Sequence, residues 1–422
     1  MKKIAHCFPI FNNLIFEKQF KNNFFYFIND YSIKCILSCI YWSCDYNFDL
    51  KMEHQLIETL LESEVYPCFS INIPLKNNPT EKNWNEKMIE KVQKNVLKQI
   101  HVEFKNETAQ KLENNLTQLI SEIELTKNRK GVGLFFTPFS KRLVEFPYEV
   151  KEKVTIDNHF DLKDISYLSS ISLNYLLLDL NDSIISIYEG FNNEIREIKD
   201  DNFPIKIFDD YEYAKPSLAK SFGYGLQTTE DDADKLKYKR YTYFVKQAEK
   251  KLKLYTLHNQ ALFVSGGKKE ISLFKSKTDY KTKISGELSG DFIHQSAIEK
   301  GKLLEKTIHN YIEQEEQKLL DRLNDAIGKD LAVCGIQDVW YSAKSGNGLI
   351  LMVEKDFEIS GYEVSAEPNL YLSIPNKEYD IVRDAVEDCI STVISKGGKV
   401  VVFENEKLKN FNKIALIQRY KS

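Results

Sequence analysis

The residues with the most chemical potential lie between Ser221 and Tyr255. A glycine-punctuated run, Ser221-Phe222-Gly223-Tyr224-Gly225-Leu226-Gln227-Thr228-Thr229, stands just before a stretch carrying Lys235, Lys237, Lys239, Arg240, Lys246, Lys250, Lys251 and Lys253 among Tyr238, Tyr241, Tyr243 and Tyr255. Glycine has no Cβ, so such a run admits positive φ and lets backbone approach a ligand closely. Lysines interleaved with tyrosines suit RNA, the cations reaching phosphates and the rings stacking on bases. The same spacing also suits lysine stems lying over a tyrosine core face, and a glycine pair marks many ordinary loops. The residues alone leave both readings open. Asp231, Asp232 and Asp234 open the charged stretch, where negative charge complements the dipole of a starting helix.

Other constellations carry less. Asp179, Asp182 and Glu189 resemble the acids of a two-metal nuclease, but Asn181-Asp182 reads as a hairpin turn and no further acidic strand completes a metal set. Ser265-Gly266-Gly267-Lys268-Lys269 follows the apolar Leu262-Phe263-Val264, yet lacks the glycine spacing and the Lys-Ser/Thr ending of a P-loop; a glycine-rich strand-to-helix turn explains it. Cys35, Cys39 and Cys44 are spaced by four and five with no fourth ligand nearby, a poor match to zinc, and His258, His294 and His309 are scattered. No metal and no small-molecule cofactor is expected.

The elements that must position these residues are legible by pattern. The segment Cys68 to Lys76 reads as a strand, and Asn85 to Leu125 as two amphipathic helices split near Asn106, with apolar residues recurring at three and four. Gly133 to Thr137 and Val144 to Pro147 read as strands, and Asp157 to Phe160 leads into a helix. Tyr175 to Gly190 is a hairpin turning at Asn181-Asp182. A helix is expected over Lys235 to Leu254, and another from Ser296 to Ile327, with Leu303, Leu304, Ile308, Ile312, Leu319, Leu320 and Leu323 as one apolar face and Gly328 as its stop. Beyond it, Gly335 opens a short helix that stops at Gly346 and feeds the apolar run Leu349 to Val353. Gly397-Gly398 precedes the apolar run Val400 to Phe403, and Ile414 to Tyr420 closes the chain. These are strand, helix, strand units of a small α/β sandwich.

The glycine pattern of residues 332–353, the Val339 and Ala343 face, the Glu354-Lys355-Asp356 exit and the closing Ile-Ala-Leu-Ile-Gln-Arg-Tyr resemble the third domain of archaeo-eukaryotic peptide-chain release factors. The upstream order of elements is similar to that family as well, from about residue 52 to 422. The chain looks like a divergent bacterial archaeo-eukaryotic release factor, related also to the stalled-ribosome dissociation factor. The resemblance implies a multidomain α/β (α+β) fold. It comprises a helical hairpin plus sheet over 52–168, an RNase H-like middle domain over 169–278, and an α/β/α third domain over 279–422 that resembles ribosomal proteins binding kinked RNA. Residues 357–376 form a surface insert in the third domain that suits either an RNA or a protein contact.

In the family, a Gly-Gly-Gln loop after the first strands of the middle domain enters the ribosomal catalytic centre, and its glutamine region orders the water that attacks the peptidyl ester. Gly225-Leu226-Gln227 stands at the matching place, with leucine for the second glycine. The resemblance therefore implies Gly225 and Gln227 as candidate catalytic residues in ribosome-dependent peptidyl-tRNA hydrolysis, and Lys235, Lys237, Lys239 and Arg240 as RNA contacts. Leu226 favours an alternative, a non-hydrolytic ribosome-dissociation factor; a third reading is an RNA- or protein-binding adaptor that kept the fold. The family's helical hairpin carries a codon-reading Asn-Ile-Lys-Ser tip, whereas the connection here is Glu103-Phe104-Lys105-Asn106-Glu107-Thr108. Expected partners are the ribosome and its RNA, with a translational GTPase on the third domain.

Composition fits this outline. A chain of 422 residues with 28% charged and 42% hydrophobic residues is of ordinary globular type and long enough for two to three domains. A formal net charge of −4 argues against coating nucleic acid nonspecifically, so RNA contact must come from local patches. Seven cysteines form no disulfide framework at this length, as expected of a cytoplasmic protein with reduced thiols. The run Ile36 to Trp42 is far short of the ~20 apolar residues needed to cross a membrane. Residues 1–51, rich in Phe, Tyr, Ile and Asn, are either an extension packing on the first domain or sequence ahead of a true start at Met52, the latter being the preferred reading.

Overall fold

The computed structural model describes residues 52–76, 81–125, 129–206, 230–256, 260–279, 283–290, 292, 295–364 and 367–421, the side chains of 52–55 and 230–237 excepted. The expected N-terminal extension and its cysteines lie outside the described residues.

After helix α1 (Met52–Glu62), strands β1 (Cys68–Pro74), β2 (Gly131–Phe136), β3 (Lys141–Phe146) and β4 (Lys153–Asp157) form an antiparallel sheet in the order β3-β2-β1-β4. Side chains alternate across a strand, so Phe69, Ile71 and Ile73 share one face with Val132, Leu134 and Phe136. That face buries the apolar stripes of α2 (Lys82–Glu103) and α3 (Asn106–Ser121), among them Val96, Ile100, Leu112 and Leu116. The split expected near Asn106 is present, and Asn106 itself takes φ +55°.

Helix α4 (Lys163–Ile171) leads to a second sheet. It is built from β5 (Asn174–Leu180), β6 (Ile184–Phe191), β7 (Glu194–Glu197), β8 (Ile205–Lys206), β9 (Ala261–Gly266) and β10 (Ile284–Ser289). The order is β10-β9-β5-β6-β7, with β8 also on β6. β5 runs antiparallel to β6 and parallel to β9, and β10 is parallel to β9. One face carries α5 (Glu230–Leu252) and α6 (Lys268–Lys277), through Tyr241, Val245, Ala248, Leu252, Ile271 and Phe274 packed on Leu176, Leu178, Ile187 and Val264. Because β10 pairs with β9, this sheet continues past residue 278, the end of the middle domain that the family resemblance implies.

Helix α7 (Ala297–Ile327) is capped by Ser296, whose hydroxyl accepts from the Glu299 amide while the Glu299 carboxylate accepts from the Ser296 amide at 2.8 Å. Its apolar face serves two cores, one at each end of the helix. Leu304 and Ile308 pack on the far side of the second sheet with Tyr175, Leu177 and Phe263, Leu323 and Ala326 pack on the third sheet, and Leu303 is exposed. At 1.5 Å per residue this helix of 31 residues is long enough for a single stripe to meet both sheets in turn.

The third sheet has the order β11-β17-β12-β16, from β11 (Ala332–Cys334), β12 (Gly348–Glu354), β16 (Lys399–Phe403) and β17 (Ile414–Gln418). Ile350, Met352, Ala415 and Ile417 face α7, whereas Leu351, Val353, Ile414 and Leu416 face α8 (Ile336–Lys344) and α9 (Ala385–Ser395). This is the α/β/α arrangement expected. Between β12 and α9 a small sheet in the order β14-β13-β15 is made by β13 (Gly361–Val364), β14 (Glu367–Tyr371) and β15 (Asp380–Val382), so the surface insert reaches six residues beyond its expected end at 376. The first and third sheets also share a core: Leu60, Phe135, Phe146, Leu162 and Ile165 are continuous with Val339, Trp340, Val386, Ile390 and Val402.

Candidate functional site

The loop that carries Gly225 and Gln227 lies outside the described residues, but both of its roots are within them. Before it, β8 pairs with β6, Ile205 opposite Ile185 and Lys206 opposite Ile184. After it comes α5, whose backbone begins at Glu230, five residues ahead of the expected Lys235. The far end of α5 is tied to the segment that enters β8. Lys251 Nζ donates to the Asn202 carbonyl at 2.9 Å, the Tyr255 hydroxyl donates to Asp200, and the Tyr255 ring meets buried Phe203 edge-on at 5.6 Å. The amides of Asn202 and Phe203 donate to the same Asp200 carboxylate; burial would raise its pKa, but the Tyr255 hydroxyl first, then these amides, hold it below the ordinary range.

Along α5 the two readings of the lysine and tyrosine spacing separate. Tyr241, Val245, Ala248 and Leu252, spaced four, three and four, are buried, and burial first, then the nearby carboxylates of Glu270, Asp182 and Asp179, push the Tyr241 hydroxyl pKa well up. Lys239, Lys246, Lys250 and Lys253 are exposed, as are Tyr238 at 55% and Tyr243 at 60%. Arg240 is half-buried between the two sides. One tyrosine therefore serves the core, while two stand in solvent among lysines. Lys235 and Lys237 sit in the first turns of the helix, where only the backbone is described.

The acids considered for a nuclease do not converge. Asp179 is buried at the end of β5, where Ser265 donates to it at 2.6 Å and Lys300 of α7 donates to its other oxygen and to the Tyr188 hydroxyl at 3.1 Å. Burial would lower the Lys300 pKa, but the contacts with Asp179 and Tyr188 raise it, so the pair is an ion pair joining sheet to helix. Asp182 lies in the turn closed by the Asn181 amide donating to the Ile184 carbonyl at 3.1 Å. Among the described residues no three His, Cys, Asp or Glu side chains converge to hold a metal. Ser265-Gly266-Gly267 is a strand-to-helix turn: a Cβ on Gly266, at φ +144°, would lie 2.3 Å from the Leu180 carbonyl oxygen, and the Glu270 carboxylate folds back over Gly267 at the start of α6.

At the hairpin tip, a depression of about 630 Å³ is lined by His101, Phe104, Lys105, Asn106, Gln110 and Glu113, and His101 Nε2 is 3.5 Å from Glu113. His309, another scattered histidine, pairs with Glu313 one turn on; His258 and His294 lie outside the described residues.

One cluster escaped the sequence reading. The carboxylate of Glu387, on α9, accepts from the amides of Leu162 at 3.0 Å and Lys163 at 3.1 Å, capping α4 across a gap of 225 residues. Lys163 Nζ in turn donates to the Phe357 carbonyl at 3.2 Å and lies 3.5 Å from Asp384. Burial first, then Asp161, pushes the Glu387 carboxyl well up, while Lys153 and Lys163 help hold Asp161 low. His159 pairs with Asp388 at 3.2 Å, which raises its pKa to about 9 against the pull of burial. No local pattern announces partners this far apart. Among the described residues no helix is long and apolar enough to cross a membrane.

Comparison with known proteins bears on residues 174–347, which match the family described as bacterial archaeo-eukaryotic release factor family 3. No curated protein matches the chain. Among solved structures it is similar to the archaeal translation termination factor aRF1, at 12% identity over 88% of this chain and 99% of that one, with a TM-score of 0.24. It is also similar to Saccharomyces cerevisiae Dom34, a translation termination-like factor (15%, 67% and 75%, TM-score 0.36), and to Archaeoglobus fulgidus Pelota (14%, 69% and 80%, TM-score 0.31).

Proposed function

Over residues 174–347 the chain is release-factor-like, and from that premise we propose that it is a translation factor acting on the ribosome. The observation that supports this most is the sorting of α5. Its inner side is spent on the core, and its outer side sets Lys239, Lys246 and Lys250 around exposed Tyr238 and Tyr243, on the helix that follows the Gly225 to Gln227 loop. Cations that reach phosphates and rings that stack suit ribosomal RNA.

In this reading the middle sheet is an RNase H-like scaffold that presents the loop, and residues 52–168 and 279–422 are the flanking modules. Gly225 gives the loop close backbone approach, and Gln227 orders a water. That water attacks the ester carbonyl, the ester bond breaks, and the tRNA leaves with its 3′-hydroxyl. Lys235, Lys237, Lys239 and Arg240 hold RNA at the loop's exit. The third module recruits a translational GTPase, and the protein works in the cytoplasm with reduced cysteines.

The second reading, a factor that binds and dissociates ribosomes without hydrolysis, is favoured by Leu226, whose branched side chain occupies a position that glycine holds in hydrolytic relatives. The two part on one assay. Purified chain is mixed with ribosomes carrying peptidyl-tRNA and an empty A site; binding with release that Gln227→Ala abolishes supports hydrolysis. Binding without release supports the dissociation reading, and no binding overturns both.

A further inference from the structure

The small sheet β14-β13-β15 has an inner and an outer face. Inward, Leu370 and Val382 are buried with α8 beneath them, and Gln337 Nε2 donates to the Leu370 carbonyl at 3.2 Å. Outward, the register aligns Tyr371, Tyr362 and Ile381 across all three strands. Successive residues of a strand point to opposite faces, so this row turns away from the core. Tyr379, two residues before Ile381, joins it, its ring edge-on to Tyr362 at 5.1 Å. Ile381 is 71% exposed, and Ile374 and Leu372 border the row in solvent. An aliphatic side chain left this exposed at the open end of a tyrosine row has the anatomy of a protein-binding hot spot.

The surrounding charge selects the partner. Between Gly361 and Val382 the carboxylates Glu363, Glu367, Glu378 and Asp380 face a single cation, Lys377, which is already bonded to Glu367. Lys344 lies 3.5 Å from Glu363, while Glu378 and Asp380 are exposed beside Tyr379 and Ile381. Phosphates are repelled here, and arginines are drawn both to the carboxylates and to the tyrosine faces. β15 is also an edge strand, with no further strand beyond it among the described residues, which offers backbone groups to an added segment.

We propose that the outer face of this small sheet is a docking surface for an extended, basic protein segment in which arginines alternate with aliphatic residues, laid along β15. By the same alternation Asp380 points to the face opposite Ile381, so along a strand added to β15 the arginines meet Asp380 on one face while the aliphatic side chains cover Ile381 on the other.

The test uses the full chain and a fluorescently labelled peptide of alternating arginine and leucine, read by anisotropy beside a labelled single-stranded RNA. The peptide is expected to bind, with affinity falling at least about tenfold in Ile381→Asp and in the double variant Glu378→Lys/Asp380→Lys, while RNA affinity stays the same in Ile381→Asp. Both substitutions are at exposed positions, and unchanged thermal melting confirms the fold. Failure of the peptide to bind, equal binding to both variants, or a loss of RNA affinity in Ile381→Asp overturns the proposal.

Discussion

Two surfaces of this molecule set tyrosines in solvent, and they differ in the sign of the charge around them. On α5, Tyr238 and Tyr243 stand among Lys239, Lys246, Lys250 and Lys253; on the small sheet, exposed Tyr379 with half-buried Tyr362 and Tyr371 stands among Glu367, Glu378 and Asp380. An exposed ring accepts a base, a guanidinium or an aliphatic chain almost equally well. In the readings proposed above, charge makes the choice between them, the first surface taking RNA and the second basic protein. A net charge of −4 conceals this division, since opposite patches cancel in the sum.

The substitution with the largest expected effect strikes the support that both surfaces share. Helix α7 packs on the sheet that carries α5 and on the sheet that carries the insert, and Asp179–Lys300 ties it to the former. Asp179→Asn leaves a buried lysine without its counter-ion and should cost about 3–5 kcal/mol, seen as a lower urea midpoint. An unchanged midpoint would show the ion pair to be structurally idle and reopen Asp179 as a functional acid.

A sharper division comes from charge reversal on one side only. Lys239→Glu/Lys246→Glu/Lys250→Glu should weaken RNA binding by about 100-fold at low salt and flatten its salt dependence, while leaving arginine-leucine peptide binding as it was. Ile381→Asp should do the opposite, with the smaller loss of about tenfold confined to the peptide. Should either variant depress both affinities alike, the surfaces do not divide the work.

The smallest effect concerns the joint between the first and third modules. The Asp388 hydrogen bond raises the His159 pKa from 6.5 to about 9, so the folded state holds this proton more tightly than the unfolded chain. The stabilisation is complete below about pH 6.5 and is lost as pH rises through about 9. His159→Gln should flatten the melting temperature across that window, relative to the parent, without altering either binding surface.

Much of the framework could be read from residues alone, because local signals and tertiary burial agree there. The helical hairpin follows from apolar residues at three and four, the β5–β6 hairpin from its Asn-Asp turn, and the start of α7 from Ser296 with Glu299 three residues on. β4 and β10 gave no such signal. β4 alternates, Lys153-Val154-Thr155-Ile156-Asp157, but over five residues only and with both apolar side chains just half-buried, and β10 contains Gly286 at a shift in register. The sorting of α5 was legible only as an ambiguity, since lysine-tyrosine interleaving is common to an RNA face and a core stripe; burial of Tyr241 beside exposure of Tyr238 and Tyr243 resolved it. The Glu387 cap on α4 was invisible in principle, being a contact between residues far apart in sequence.

Co-sedimentation of the full chain with ribosomes carrying an empty A site, with and without Lys239→Glu/Lys246→Glu/Lys250→Glu, tests the central claim most directly. The account predicts that the parent chain pellets with ribosomes and the triple variant stays in the supernatant at the same salt. A parent chain that remains in the supernatant, or a triple variant that pellets equally well, would contradict it.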